Sequence, residues 1–151
     1  MSRTGRNGRR WTFREHSLSF LISGILAVVF FMYAESDPST HLGAFFGNAI
    51  ADWLGVLVFV VATKYFFEIG SGESRRPPRH LHHRVTQFLL KHSLTLVLAL
   101  TGVGWVVLYA RSDVDSKSGQ VVGNIVSAWT QVLGLVVITK YARESGSKEG
   151  K

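Results

Sequence analysis

Residues 44–62, AFFGNAIADWLGVLVFVVA, decide the fold of this chain, because the stretch is apolar on every side apart from Asn48 and Asp52. A membrane-spanning helix needs roughly 20 predominantly apolar residues, with about 17 as the lower limit. The stretch is therefore long enough to cross a bilayer as one helix.

The same stretch returns 76 positions later as residues 120–138, QVVGNIVSAWTQVLGLVVI. Residues 16–75 align with residues 92–151 without a gap, and about a third of the aligned positions are identical. This period is longer than those of helical and propeller repeat arrays. Each copy also contains a second apolar run, so the sequence predicts a duplicated pair of helices.

Four apolar runs are present in all, at residues 18–34, 44–62, 94–110 and 121–138. A soluble helical bundle would show a polar face with the helical period, and none of the runs has such a face. Helices with internally bonded backbone satisfy the requirements of a bilayer. We expect an all-α membrane protein with four transmembrane helices, arranged as two tandem hairpins that enter the membrane in the same direction. Pseudo-twofold symmetry along the membrane normal follows from that arrangement.

The basic residues predict the orientation. Of the 17 Lys and Arg, Arg111 and Lys117 alone lie in the two short loops predicted at residues 35–43 and 111–120. Positively charged segments stay in the cytoplasm, so both termini and the central segment are expected there. The predicted organisation is a basic arm at 1–15, a first two-helix repeat at 16–69, a linker with an amphipathic lead-in at 70–91, and a second repeat with a tail at 92–151.

The net charge of +7 raises several alternatives. Basic groups near an anionic membrane surface each contribute about 1 kcal/mol of attraction, which makes the lipid bilayer the expected partner. Arg75, Arg76, Arg79 and Arg84 would suit a nucleic-acid patch, but no aromatic platform or binding motif accompanies them, and we expect no nucleic acid. A third hypothesis is that the basic arm and the central segment recruit an acidic cytoplasmic partner or lipid.

The sequence contains no signature of catalysis. His80, His82 and His83 crowd together, but the chain has no cysteine and the segment is loop-like, so a hydrated basic stretch is favoured over a metal site. There is no nucleophile elbow, phosphate loop, His-x-x-x-His pair within a span or pair of carboxylates. We therefore expect neither an enzyme nor a bound metal or other cofactor.

Small residues recur every fourth position along the second and fourth runs. They predict helix-packing faces, because small side chains let two helix backbones approach closely in lipid. The residues are Gly43, Gly47, Ala51, Gly55, Gly119, Gly123 and Ser127.

Four polar side chains lie beside these faces, namely Asn48, Asp52, Asn124 and Gln131. The two asparagines are interpreted as hydrogen-bonding clamps between the second and fourth helices, a role that polar side chains have in lipid. Asp52 is a functional candidate, because an ionised carboxylate inside a membrane is costly unless it is paired or faces water. Ala128 takes its place in the second copy, so Asp52 has no acidic twin.

Two further pairs of matched residues have structural interpretations. Asp37 and Asp113, in the two short loops, are expected to form turns or helix caps rather than a cation site. Trp53 and Trp129 lie well inside their spans and are expected to fill gaps between helices.

Three segments carry a resemblance to a known family: HSLS at residues 16–19, Asn48 with Trp53, and GSGES at residues 70–74. They resemble the pattern of an uncharacterised bacterial family of small duplicated four-helix membrane proteins, which carry a domain of unknown function. The resemblance covers most of the chain beyond residue 15, and the chain departs from the pattern at Asp52, where the family has asparagine directly before the tryptophan. It implies a bacterial multi-pass protein and no known activity, and we expect the chain in the bacterial plasma (inner) membrane.

The expected function is a structural or interaction role, in which the protein associates with itself or acts as a small subunit of a membrane complex. The alternative is an ion or proton pathway centred on Asp52. Four helices are too few to enclose a wide pore, so this alternative requires an oligomer.

Overall fold

A computed structural model describes residues 16–74 and 84–142 of the chain. This described part is all-helical, with five helices in the order α1 (Ser17–Glu35), α2 (His41–Tyr65), α3 (Arg84–Lys91), α4 (Ser93–Arg111) and α5 (Lys117–Ile138). Helices α1, α2, α4 and α5 contain 19, 25, 19 and 22 residues. Each of these four is long and apolar enough to cross a membrane, which confirms the predicted set of four long apolar helices.

The four long helices form two hairpins, α1–α2 and α4–α5, that meet along α2 and α5. The turns at residues 36–40 and 112–116 lie together at one end of the bundle, called here the loop end. Residues 66–74 and the start of α4 lie together at the opposite end, called here the linker end.

Hydroxyl side chains cap α2 and α5 at the loop end. Thr40 Oγ1 accepts a hydrogen bond from the backbone N–H of Gly43 at 3.1 Å, and Ser116 Oγ accepts one from Gly119 at 3.0 Å. Each bond satisfies an N–H group that the first helical turn leaves unpaired. A Cβ atom at Gly43 or Gly119 would collide with the backbone of the preceding turn, so the close approach requires glycine at both positions.

Asp37 and Asp113 shape the turns that precede these caps. Asp37 Oδ1 accepts hydrogen bonds from the backbone N–H and the hydroxyl of Ser39 at 2.9 and 2.8 Å, and Asp113 Oδ1 accepts one from the N–H of Asp115 at 3.1 Å. The bonds from Ser39 hold the pKa of the Asp37 carboxyl below its usual value. The predicted turn role is confirmed, and the capping role belongs to the hydroxyl residues instead.

The core lies where α4 and α5 meet α2. Its buried side chains are Ala51, Ala62, Leu94, Leu98, Ile125, Ala128, Trp129 and Val136. Trp129 Nε1 donates to the backbone oxygen of Leu98 at 3.0 Å and to Thr101 Oγ1 at 3.1 Å, so the indole fills the space between α4 and α5 with its donor satisfied. This confirms the predicted gap-filling role of Trp129, whereas Trp53 is half-buried.

Candidate functional site

A crevice at the loop end, between α2 and α5, holds three carboxamide side chains. It has a volume of about 470 Å³. Asn48 from α2 and Gln120 and Asn124 from α5 line it, together with Tyr109 from α4. The structure therefore brings the two predicted asparagines to one place, and Gln120 joins them although its spacing had suggested no role.

A second crevice lies nearer the middle of the helices and has a volume of about 460 Å³. Asp52 from α2 and Gln131 from α5 line it, among apolar side chains that include Phe59 and Leu135. Asp52 is about one helical turn from Asn48. All four predicted polar residues thus lie along the contact between α2 and α5, divided between the loop-end crevice and this middle crevice.

These four polar side chains are open to the surroundings of the chain. Asn48, Asp52 and Gln131 are exposed, and Asn124 is partly exposed. Within residues 16–74 and 84–142, no hydrogen bond joins the four side chains to one another, so the predicted asparagine clamp is not formed inside the described chain. The hydrocarbon core of a bilayer offers neither donors nor acceptors, and there such groups need water or another protein surface.

The predicted small-residue faces make contacts within the chain. A Cβ atom at Gly47 would lie 3.2 Å from the ring of Tyr33, and one at Gly123 would lie 2.9 Å from the ring of Tyr109. Both glycines therefore leave room for a tyrosine of their own hairpin. A larger residue would push that aromatic ring away.

The close approach between α2 and α5 is at Gly55. A Cβ atom there would lie 3.6 Å from Ala128 Cβ and 3.7 Å from Val132 Cγ2. Ala51 is buried in the core, whereas Ser127 is exposed. The small residues of α2 thus pack against other parts of the chain along the whole face, whereas the face in α5 is exposed at Ser127.

Tyr33 and Lys117 fasten the two hairpins together at the loop end. The Tyr33 hydroxyl donates to the backbone oxygen of Lys117 at 2.9 Å. The ammonium of Lys117 donates in return to the backbone oxygens of Ala34 at 3.2 Å and Ser36 at 2.5 Å. These bonds satisfy carbonyl groups that the end of α1 leaves without a helical partner.

A buried glutamate gathers three hydrogen-bond donors at the linker end. Glu68 has a fully buried side chain and forms a salt bridge with Lys140. His92 Nδ1 lies 2.6 Å from Glu68 Oε1, and the N–H of Thr95 donates to Oε2 at 3.1 Å. An ionised carboxylate can only accept hydrogen bonds, so His92 donates through Nδ1. We call Glu68, His92, Thr95 and Lys140 the Glu68 cluster.

Burial and hydrogen bonding act in opposite directions on Glu68. Burial raises the pKa of its carboxyl group, because the charged form is less stable away from water. Hydrogen bonds from Lys140, Thr95 and His92 lower that pKa and outweigh burial, so the net pKa lies below its usual value. Glu68 is therefore ionised at neutral pH and supplies the counter-charge of Lys140.

Two hydroxyl contacts reinforce the Glu68 cluster. The hydroxyls of Ser71 and Thr139 are hydrogen-bonded at 2.9 Å, and Ser93 Oγ accepts a bond from the N–H of Phe67 at 2.9 Å. Together with the cluster, they join the segment after α2 to the start of α4 and the end of α5. Polar contacts thus join the two hairpins at both ends: those of the Glu68 cluster at the linker end, and those of Tyr33 and Lys117 at the loop end.

The first hairpin has matched residues with a different arrangement. His16 and Lys64 precede His92 and Lys140 by 76 positions, and Lys64 Nζ lies 3.2 Å from His16 Nδ1. An ammonium group can only donate, so the ring nitrogen accepts. Neither side chain pairs with a carboxylate in the part of the chain that the structure describes, and Glu144, which matches Glu68, lies outside that part.

Sequence reasoning had assigned no role to Glu68, although a signal was present. Glu68, His92 and Lys140 each have an identical residue 76 positions away. Polar residues that recur at matched helix ends indicate that side-chain bonding matters there. What the repeat does not encode is that all three meet at one point.

His80, His82 and His83 lie outside the described residues. Within the described residues, no group of three or more His, Cys, Asp or Glu side chains is placed to hold a metal ion.

No protein-family model, curated protein or solved structure matches the chain. The resemblance to the bacterial four-helix family therefore stays a prediction.

Proposed function

We propose that this chain is a multi-pass protein of the bacterial plasma membrane with a structural or interaction role, either associating with itself or serving as a small subunit of a membrane complex. The observation that carries the proposal is the exposure of Asn48, Asp52 and Gln131 on helices long and apolar enough to cross a bilayer. Polar groups in contact with lipid near the middle of a span are destabilising. A protein partner that supplies donors and acceptors removes that cost.

The proposed orientation rests on charge. All but Arg111 and Lys117 of the 17 Lys and Arg lie away from the two short loops, and positively charged segments stay in the cytoplasm. The two hairpins then enter the membrane in the same direction, related by a pseudo-twofold axis along the membrane normal. Both termini and the linker end face the cytoplasm.

The open side of the two crevices is the proposed association face. The small residues Gly47 and Gly55 already contact Tyr33, Ala128 and Val132 inside the chain, so they are not free to receive a second protein. The carboxamide and carboxyl groups beside them are exposed or partly exposed. A carboxamide both donates and accepts hydrogen bonds, and a carboxylate accepts them.

Cross-linking at single cysteines tests the proposal, since the chain contains no cysteine of its own. Val56→Cys lies on the middle crevice and is 44% exposed at the parent valine. Val28→Cys, 59% exposed on α1, is the matched control. In native membranes, a short photo-activated cross-linker attached to the thiol should join Val56→Cys to a second copy or a partner protein in several-fold higher yield than Val28→Cys. Equal yields at the two positions, with a monomer in mild detergent and no co-purifying membrane protein, would contradict the proposal.

An oligomeric ion or proton pathway centred on Asp52 is the second candidate. The shared crevice of Asp52 and Gln131, next to a crevice lined by Asn48 and Asn124, favours it. Proteoliposomes that contain the parent chain or Asp52→Asn separate the two functions. A pH-dependent flux that is lost in the variant supports the pathway, whereas the absence of flux from both, combined with cross-linking at position 56, supports the structural role.

A further inference from the structure

Helix α3, Arg84–Lys91, carries an apolar face that is largely uncovered in the described part of the chain. Val85, Phe88 and Leu89 are 72%, 60% and 51% exposed. Their spacing of three and four places them on one side of the helix. Large apolar side chains grouped on a surface indicate a binding face.

The position of α3 is fixed at its C-terminal end. His92 alone separates it from α4, and the N–H of His92 donates to the backbone oxygen of Phe88 at 3.1 Å. The N–H of Ile69 donates to the backbone oxygen of Lys91 at 3.0 Å. The ring of His92 also contacts the Phe88 ring, with centroids 4.9 Å apart, and bonds to Glu68. Helix α3 therefore stays beside the linker end of α4.

The sequence that leads into and forms α3 carries charge of one sign. Residues 75–91 contain Arg75, Arg76, Arg79, Arg84 and Lys91 and no acidic residue. Basic residues beside an apolar helix face form the composition of helices that bind anionic bilayer surfaces. A free helix of this length would be unstable in water. The bonds of His92 to Phe88 and Glu68 hold α3 against the rest of the chain and so help to stabilise it.

We propose that the face formed by Val85, Phe88 and Leu89 docks on the anionic inner leaflet, so that α3 lies in the membrane interface. The inference rests on the proposed insertion of α4 in the bilayer. The adjoining end of α4 brings α3 to the membrane surface, its apolar face enters the lipid, and the basic residues bind the anionic headgroups.

Fluorescent labels at single cysteines in the full chain test this inference. The chain is reconstituted in nanodiscs of phosphatidylcholine, with or without phosphatidylglycerol, and quenched from water by acrylamide or from the bilayer by spin-labelled lipid. Phe88→Cys reports on the apolar face, and Thr86→Cys, exposed and outside that face, is its control. Leu100→Cys, 75% exposed in α4, reports on insertion of α4.

Spin-labelled lipid should quench the label at position 88 strongly and the label at position 86 weakly. Adding phosphatidylglycerol should reduce acrylamide quenching at position 88 at least twofold. Arg84→Gln with Lys91→Gln should weaken that lipid dependence, because each basic group changes affinity for an anionic surface about fivefold and two of the five are removed.

Three results at position 88 would overturn the inference. Shielding from acrylamide without quenching by lipid would mean that a protein surface covers the face. Equal acrylamide access at positions 86 and 88 would mean that water covers it, and equal lipid quenching in both compositions would reject the anionic leaflet. If lipid quenches the label at Leu100→Cys, any of these results rejects only the docking of α3. If lipid does not quench that label, the proposed insertion of α4 is rejected as well.

Discussion

At the linker end, the two hairpins use the same residue types with different results. In the second hairpin, His92 and Lys140 both bond to the buried carboxylate of Glu68. In the first, the matched His16 and Lys64 contact each other, without a carboxylate among the described residues. A buried ion pair becomes destabilising when one partner is removed, whereas partly exposed charges contribute little. We therefore expect the His92–Lys140 pair, which shares the Glu68 carboxylate, to contribute more to stability than the His16–Lys64 pair.

The loop end shows the same asymmetry between matched residues. Tyr33 is 6% exposed and is bonded to Lys117, whereas Tyr109, 76 positions later, is 37% exposed and lines a crevice. The position that matches Lys117 is His41, which is exposed. Among the described residues, each end of the bundle thus has one corner whose side chains bond to the other hairpin, and one whose matched side chains do not.

The largest expected effect is that of Glu68→Gln. The substitution keeps the shape of the side chain but removes the charge, and Lys140, whose side chain is 16% exposed, loses its counter-charge. We expect the free energy of unfolding to fall by about 3 kcal/mol, as for other buried ion pairs that lose one partner. Denaturation by SDS in mixed micelles, followed by far-UV circular dichroism, measures the change.

Lys64→Gln is the matched control in the first hairpin. Its lysine is half-buried and bonds to His16, so its loss should cost less than about 1 kcal/mol. Equal losses of unfolding free energy for Glu68→Gln and Lys64→Gln would show that the two corners contribute equally to stability, which would contradict the difference expected from their contacts.

Acid should weaken the second corner next. Burial raises the pKa of Glu68, but hydrogen bonds from Lys140, Thr95 and His92 bring the net pKa below its usual value. A lowered folded-state pKa stabilises the fold above the unfolded value of about 4.3, and that contribution is lost as the pH falls through the folded-state pKa. The parent chain should therefore lose stability below about pH 4 more steeply than Glu68→Gln.

The variant supplies the reference for this measurement. Both chains contain Asp37, whose pKa is also lowered, so the difference between their SDS denaturation curves at each pH isolates Glu68. Protonated glutamate is neutral like glutamine, and the loss in acid should not exceed the cost of the substitution itself. Parallel pH dependences of the two chains would contradict the assigned role of the Glu68 carboxylate.

The sequence was sufficient to predict the four long helices, because their apolar runs have the length and composition of membrane-spanning segments. It also indicated that Asn48, Asp52 and Gln131 would lie beside the helix contact, since residues four apart share a face. Among the described residues, Asn48 and Asn124 make no hydrogen bond across α2 and α5 of the kind expected of clamps, since spacing along a helix does not determine which groups a side chain meets across a helix crossing. The Glu68 cluster was not predicted, since it joins three segments that are distant in sequence and no local pattern encodes their meeting.

The smallest expected effect separates the two tyrosines at the loop end. Tyr33→Phe removes the hydroxyl that donates to the backbone oxygen of Lys117 and should cost about 1 kcal/mol, the usual net worth of one hydrogen bond. Tyr109→Phe should leave SDS denaturation unchanged, because the ring is partly exposed beside the loop-end crevice. Equal costs would show that the Tyr109 hydroxyl is also hydrogen-bonded, and the difference between the two tyrosines at this end would not hold.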